Sequence, residues 1–328
     1  MNVGIVGLGH LGKIHLKLLG EIPQYTIKAI YDIDKQVIAN LTYQKDVTIC
    51  DNYDELLQLC EVVLIITPTS THFELASKAI KKGKHVFIEK PATDNPDDTK
   101  ILINLAKEAG VIVQVGHVER FNPAFTAAKD YFENPSFIEI ERLACYNSRG
   151  TDVSVVLDLM IHDIDIILSV VKANIRKISA SGVAVVSDTP DIANARLEFD
   201  NGCVANITSS RISLKNMRKS RFFQRDAYIS IDFLEKTSEI VQMAEDDGND
   251  PFALSLELGN GKSKKKIIYN KLEVEPLNAI KEELSSFAQA INQDTKTKVS
   301  LSDGFKALDV AYQIIEKIDA KTIPFATK

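Results

Sequence analysis

The sequence predicts two domains: a doubly wound parallel α/β sheet, then an α+β domain whose large sheet is mostly antiparallel. Three observations predict it. Val3 to Gly12 reads V-G-I-V-G-L-G-H-L-G, an apolar run that ends in a complete glycine fingerprint. Strand and helix patterns then alternate to about residue 118, and from Ile175 onward strands joined by hairpin signals dominate. The length of 328 residues also exceeds what a single core normally holds. The predicted division is 1–118 and 119–328.

A strand feeding G-x-G-x-x-G and then a helix is the recipe for holding a dinucleotide pyrophosphate. Gly7 permits the tight turn, Gly9 lacks the Cβ that would block the phosphates, and Gly12 lets helix and strand pack closely. His10 and Leu11 lie inside the loop. A second strand, Thr26 to Tyr31, ends at Asp32, at the spacing expected of a carboxylate that receives a ribose 2′-hydroxyl and repels a 2′-phosphate. The cofactor expected is therefore NAD(H) rather than NADP(H). Asp34 takes that role if the strand runs two residues further.

The remaining elements of the first part follow in order. Ile33 to Leu41 is helical, Asp54 to Leu59 is a short helix, and Val62 to Thr67 is an apolar strand of the kind a sheet buried on both faces requires. His72 to Lys82 is a helix closed by Gly83; strand His85 to Glu89, helix Pro96 to Ala109 and strand Val111 to Val115 complete six strands separated by helices. The second part opens with a helix over Pro123 to Phe132, an extended segment from Phe137 to Tyr146, and a helix from about Val155 to Val171. Strands are expected at Ile175 to Val186, Ile192 to Phe199, Cys203 to Arg211, Asp226 to Phe233, Ser238 to Ala244 and Lys266 to Asn270. Asp200-Asn201-Gly202 predicts a type I′ hairpin turn. Helices at Leu277 to Asn292 and Asp303 to Ile318 end the pattern.

Composition narrows the function. With 45% hydrophobic and 26% charged residues the chain is an ordinary globular protein, and its net charge of −6 excludes a dedicated nucleic-acid binder. The run from Lys262 to Lys266 reads as a solvated loop leading into a strand. The scatter of Lys215, Arg218, Lys219, Arg221 and Arg225 fits a solvated edge or an anion contact equally. Cys50, Cys60, Cys145 and Cys203 show neither C-x-x-C spacing nor a disulfide framework, which suits a reducing, cytoplasmic setting. No apolar stretch approaches a membrane span, and the N-terminal run lacks the basic leader of a signal peptide.

Two constellations carry chemistry. Glu89-Lys90-Pro91 follows a central parallel strand, in the crevice where open α/β sheets bind ligands. A lysine beside a nicotinamide there polarises a hydroxyl or ketone; a surface Glu–Lys pair before a loop-forming proline fits the same letters. On the helix from Val155, Asp158, His162, Asp165 and Ser169 stand at i, i+4, i+7 and i+11, one polar face on an otherwise apolar helix. Carboxylates a turn either side of a histidine orient its ring and stabilise its cation, giving a proton acceptor near neutrality, although a structural histidine looks similar. Asp163 points off this face and is expected exposed or capping. A metal bound by Asp158, His162 and Asp165 would need a fourth ligand from elsewhere, so none is expected. His15 reads as a packing or helix-bonding residue.

The chain resembles the glucose–fructose oxidoreductase / inositol 2-dehydrogenase (Gfo/Idh/MocA) family. The resemblance lies in G-L-G-H-L-G-K-I-H (Gly7 to His15), T-P-T-S-T-H (Thr67 to His72), G-K-H-V-F-I-E-K-P (Gly83 to Pro91) and V-G-H-V-E-R-F-N-P (Val115 to Pro123). It continues in D-x-x-x-H-x-x-D (Asp158 to Asp165) and in E-P-L…E-L-x-x-F (around Glu275 to Phe287). It implies a Rossmann domain joined to an open-faced sheet that mediates assembly, and hydride exchange with a sugar or cyclitol carbinol carbon. By that likeness Lys90 is the catalytic lysine, Asp158 the substrate-binding aspartate and His162 the acid/base. Thr67, Pro68, Thr69, His72, Glu89 and Asn122 fall where family members contact the cofactor. Thr151-Asp152-Val153-Ser154 and Met160 depart from the family's G-G-G approach and inner glycine. With Arg149 before V-V-L-D-L-M-I-H-D-I-D, they are similar to members that oxidise a nucleotide-activated amino sugar such as UDP-N-acetylglucosamine, where Arg149 would meet the phosphates. An inositol or free-sugar dehydrogenase and a non-catalytic dinucleotide-binding regulator are the alternatives. A homodimer or homotetramer is expected, with Val183, Val185 and Ile207 offering apolar groups on the free sheet face.

Overall fold

In the computed structural model, which describes residues 1–39, 41, 46–147, 153–246, 254–257 and 264–320, the N-terminal apolar run forms β1 (Asn2–Val6). There follow α1 (His10–Leu19), β2 (Thr26–Tyr31), α2 (Lys35–Ala39), β3 (Thr48–Ile49), α3 (Tyr53–Leu59), β4 (Val62–Ile65), α4 (His72–Lys81), β5 (His85–Glu89), α5 (Pro96–Ala109) and β6 (Val113–Gly116). Local chemistry sets several boundaries. Asn52 and Asn95 cap α3 and α5 by accepting the N–H of Glu55 and Asp98, and Pro96 occupies the first turn of α5, where its missing N–H costs nothing. Gly110 ends α5 with φ +65°, the left-handed conformation that glycine adopts without strain.

Among the described residues the first sheet has six parallel strands in the order β3-β2-β1-β4-β5-β6. Successive residues feed two cores. Val3, Ile5, Val62, Leu64 and Phe87 pack on one side, and Val6, Val63, Ile65, Val86 and Ile88 on the other. Strand order reverses between β1 and β4, which opens the ligand crevice at the carboxyl ends of the strands.

The second part begins with α6 (Pro123–Ala128), β7 (Phe137–Cys145), a π turn (Val156–Met160) and α7 (Ile161–Val170). Then come β8 (Ile175–Val183), β9 (Ile192–Phe199), β10 (Val204–Ser213), β11 (Met217–Gln224), β12 (Ala227–Asp232), β13 (Thr237–Glu245), β14 (Leu254–Glu257) and β15 (Lys264–Lys271). The described strands make one nine-stranded sheet, β14-β15-β13-β12-β11-β7-β10-β9-β8, in which β7 and β10 run parallel and the other neighbours antiparallel.

Three expectations are corrected here. The basic residues Arg218, Lys219 and Arg221 lie on an interior strand, β11, whose Ser220 and Phe222 turn inward while Lys219 and Arg221 face outward; Arg218 shares the register side of Ser220 but is exposed near the end of the strand. The Asp200-Asn201-Gly202 turn has a positive φ only at Gly202 (+86°), whose N–H donates to Phe199 O at 3.1 Å, while Phe199 N–H donates to Cys203 O at 2.9 Å. That is a three-residue loop with a glycine bulge, since type I′ requires positive φ at both central residues. Ile207 is fully buried, paired with Ala195 and Ile140 on the core face. The opposite face carries polar pairs, Arg221–Glu139 at 3.7 Å, Lys219–Asp232 at 3.4 Å, Arg196–Glu198 at 3.5 Å and Asn194–Thr208 at 2.9 Å, beside an aromatic cluster of Phe137, Phe223 and Tyr228. Val183 and Val185 are exposed.

The chain closes with α8 (Ala279–Gln293) and α9 (Leu301–Asp319). The chain divides into one unit of residues 1–121 with 277–312 and another of 122–276 with the residues from 313. The predicted cut at 118 is therefore incomplete, because the chain returns to its first unit. Leu284, Phe287 and Ala288 of α8 are fully buried in the same core as Ile5, Leu19 and Phe87. Tyr25 Oη donates to Leu284 O at 3.0 Å, and Gln114 Nε2 to Glu283 O at 3.1 Å.

Candidate functional site

The glycine loop has the shape of a phosphate cradle. Gly7 holds φ +87°, and a Cβ there would stand 2.5 Å from Ile66 O; a Cβ at Gly12 would stand 2.0 Å from Gly7 O. Nothing lies within 4 Å of where a Gly9 Cβ would be. Gly9, His10 and Leu11 are exposed, and α1 starts there without a side-chain cap, so its first N–H groups and the positive end of its dipole face solvent. Asp32 stands at the end of β2: its Oδ2 accepts Leu8 N–H at 2.6 Å and its Oδ1 accepts Asp34 N–H at 2.9 Å. Asp34 is engaged locally, accepting Gln36 N–H at 2.9 Å at the start of α2. These features fit a dinucleotide.

The loops after β4 and β5 meet through one buried ring. His72 places Nε2 2.9 Å from Thr67 O and Nδ1 2.9 Å from Pro91 O. A neutral ring donates to one such carbonyl, and the doubly protonated ring to both. His72 thus staples the Thr67-Pro68-Thr69 turn to the Lys90-Pro91 loop from inside, rather than presenting a free ring edge. Thr71 Oγ1 reinforces the turn through Thr67 Oγ1 at 2.7 Å and Pro68 O at 2.9 Å. Lys90 is half-buried just past β5. Beside it, Glu89 Oε1 meets Nε2 of His15 at 2.9 Å, a partnership across 74 residues with no local signature.

Asn122 belongs to the second unit. It is buried there with both ends of its amide engaged: Oδ1 accepts Ala124 N–H at 3.1 Å to cap α6, and Nδ2 donates to Phe233 O at 3.0 Å.

Asp158 lies in the π turn and His162 in the first turn of α7, both half-buried. π turns recur at functional sites because they break the regular helical spacing. Asp165 is buried, and Ser169 Oγ donates to Ile166 O at 2.6 Å, so the predicted polar face does not continue outward along the helix. Asp163 is also corrected. It is fully enclosed in a two-pronged pair with Arg142 of β7, Nε to Oδ2 at 2.9 Å and Nη2 to Oδ1 at 2.8 Å.

A cavity of about 720 Å³ adjoins Asp158, lined by Cys145, Tyr146, Asn147, Leu159, Arg211 and Asn216. Arg211 is a buried hub that sequence reasoning misses. It reaches Asp191 at 2.9 Å, Thr189 Oγ1 at 2.8 Å and Val153 O at 2.5 Å, and so ties down the chain entering the π turn. Burial opposes ionisation of Asp191, but N–H groups of Val186, Val185 and Ser187, together with Arg211, hold its carboxyl well below the usual carboxylate range. Arg149, Thr151 and Asp152 lie outside the described residues. Among the described residues no three His, Cys, Asp or Glu side chains group to hold a metal ion, and no helix is long and apolar enough to cross a membrane.

Residues 1–117 match the GFO_IDH_MocA family, described as an oxidoreductase family with an NAD-binding Rossmann fold, and residues 125–225 match the GFO/IDH/MocA C-terminal domain. A UDP-N-acetylglucosamine 3-dehydrogenase of Acidithiobacillus ferrooxidans is 36% identical over 241 residues, covering 73% of this chain and 76% of that protein. A scyllo-inositol 2-dehydrogenase (NAD(+)) of Bacillus subtilis is 32% identical over 239 residues, 65% of this chain and 68% of that one. The solved structure of a UDP-N-acetylglucosamine 3-dehydrogenase from Acidithiobacillus ferrooxidans is similar throughout, with a TM-score of 0.86 at 31% identity over 98% of both chains.

Proposed function

The chain belongs to the Gfo/Idh/MocA oxidoreductase family, and on that premise we propose that it is an NAD-dependent dehydrogenase of a UDP-activated amino sugar, acting at C3 of UDP-N-acetylglucosamine. The observation that carries the reading is the 36% identity with an enzyme named for that reaction. The glycine cradle and Asp32 would hold the dinucleotide, with the carboxylate favouring NAD over NADP. NAD, when bound, supplies a hydride acceptor. His162 takes the hydroxyl proton on a ring nitrogen, Lys90 Nζ stabilises the oxygen as negative charge develops on it, and Asp158 orients the hydroxyl or the ring. Thr67, Pro68 and Thr69 line the cofactor side, and Glu89 and His72 support that loop. Arg149 is assigned to the diphosphate.

The test is NAD reduction, followed by absorbance, across UDP-N-acetylglucosamine, free sugars and inositols. Turnover of the UDP-sugar, weakened by Arg149→Ala, is the expected result. Turnover confined to inositols or free sugars would move the chain to the branch that the Bacillus subtilis relative represents. The unpaired cysteines suit a cytoplasmic setting. Assembly into a homodimer or homotetramer through the open sheet face is assigned as well; light scattering that finds a monomer at micromolar concentration overturns it.

A further inference from the structure

The Glu89 carboxylate is gripped from three elements of the first unit. Oε1 meets His15 Nε2 of α1 at 2.9 Å, and Oε2 accepts the Lys90 backbone N–H at 3.2 Å. From β6, Gly116 backs the group so closely that a Cβ there would stand 3.0 Å from both Cδ and Oε2. His15 has no exposed surface, packs its ring 5.6 Å from that of Phe87, and leaves a buried Nδ1 without a hydrogen-bond partner. Buried N–H groups are almost always paired, so this geometry suits the tautomer that carries its proton on Nε2 and donates it to Glu89. The helix bearing His15 begins in the glycine loop, at the phosphate cradle.

We propose that His15 is a positioning residue: through Glu89 it fixes the backbone of Lys90, so that the helix under the glycine loop and the lysine loop hold one geometry. The inference rests on Lys90 being the lysine that acts on substrate. Without the His15 donor, Glu89 Oε1 is a carboxylate oxygen with no partner beside its own neighbouring ammonium. It turns toward Lys90 Nζ, and the lysine is then both displaced and masked.

The test uses the full chain without any sugar. His15→Phe keeps a ring of similar size and removes the donor; His15→Gln keeps an N–H donor. Two quantities are followed, NADH affinity by fluorescence titration and the rate of Lys90 acetylation by peptide mass spectrometry. His15→Phe should bind NADH nearly as wild type but acetylate Lys90 about tenfold more slowly, the effect of one opposite charge moving to within about 4–6 Å. His15→Gln should restore the rate. With an active substrate, kcat of His15→Phe should fall by roughly 10–10²-fold with little change in KM for NAD, the scale set by a displacement of about 1 Å. Gly116→Ala, which crowds Glu89 from the other side, should slow acetylation in the same way if His15→Phe does not fold. Wild-type labelling of Lys90 in His15→Phe or Gly116→Ala overturns the proposal, as does a His15→Gln variant slowed equally. The labelling needs no substrate, so a wrong sugar assignment leaves its outcome unchanged.

Discussion

Asp32 has two tasks that one substitution separates from simple charge removal. Its Oδ2 holds the Leu8 N–H inside the glycine loop, and the same carboxylate stands where a ribose 2′-oxygen is expected. Asp32→Ala should therefore weaken NAD binding through the loosened loop while weakening NADP binding less, so the ratio of the two affinities narrows. Calorimetric titration of both cofactors reads this directly, and equal wild-type affinities would overturn the assignment. Lys90→Met and His162→Asn should each lower turnover by roughly 10²–10⁴-fold, the usual value of a placed acid/base or electrostatic group, with NADH affinity changing much less. Steady-state rates beside a binding titration distinguish this from general damage; near-wild-type turnover in both variants places the chemistry elsewhere.

At the scale of elements, the buried Arg142–Asp163 pair joins β7 to α7, one residue past His162. Removing one partner leaves an uncompensated charge, so Arg142→Met or Asp163→Asn should cost about 3–5 kcal/mol, while exchanging both for apolar residues recovers much of it. Urea denaturation of the three variants checks the ordering. Asp191 gives a pH dependence whose sign is determined. Its folded carboxyl is held below the ordinary range, so its contribution is complete above the unfolded value of about 3.9 and is lost as pH falls toward the folded one. The melting temperature should fall steeply below about pH 4, and less steeply in Asp191→Asn; parallel curves would remove Asp191 from the account. Much of this scale is legible in the chain. The glycine loop, the Pro96 and Gly110 boundaries of α5 and the bounds of β5 and β9 follow from local turn and capping chemistry. β3 has two residues and no apolar run, and β11 hides behind outward cations, so neither announces itself. Arg142 and Arg211 stand at inward positions of their strands, in step with Ile138 and Ile140 and with Ala205 and Ile207. That parity is a signal of buried cations, but their partners Asp163 and Asp191 are distant in sequence and carry no local mark. Asp163 therefore looks exposed or capping until β7 is placed beside it.

At the scale of the molecule, the described open sheet face carries paired charges beside a cross-strand row of Phe137, Phe223, Tyr228, Val241 and Tyr269. Assembly there should survive high salt, because salt screens the exposed ion pairs but not the burial of the apolar row. The first unit is discontinuous, and a fragment ending at Pro276 should leave Leu19 and Phe87 without the cover of Leu284 and Phe287. That fragment is expected to precipitate or to bind NADH poorly, whereas 1–121 joined by a flexible linker to 277–312 should be soluble and bind it. A soluble, NADH-binding fragment ending at Pro276 would show that α8 is dispensable.

The return of α8 to the first core also sets a timetable on the ribosome. After residue 121 has been made, roughly 170 further residues must follow before the helix that seals that core is complete. At about 5–20 residues per second this is an interval on the order of 10–30 s. Through it the nascent nucleotide-binding sheet waits with one side only partly covered, by α1 and α2, while the whole intervening sheet can fold first. The half of the enzyme that is translated first is thus the half that matures last, and its exposed apolar side is where a chaperone would engage the growing chain.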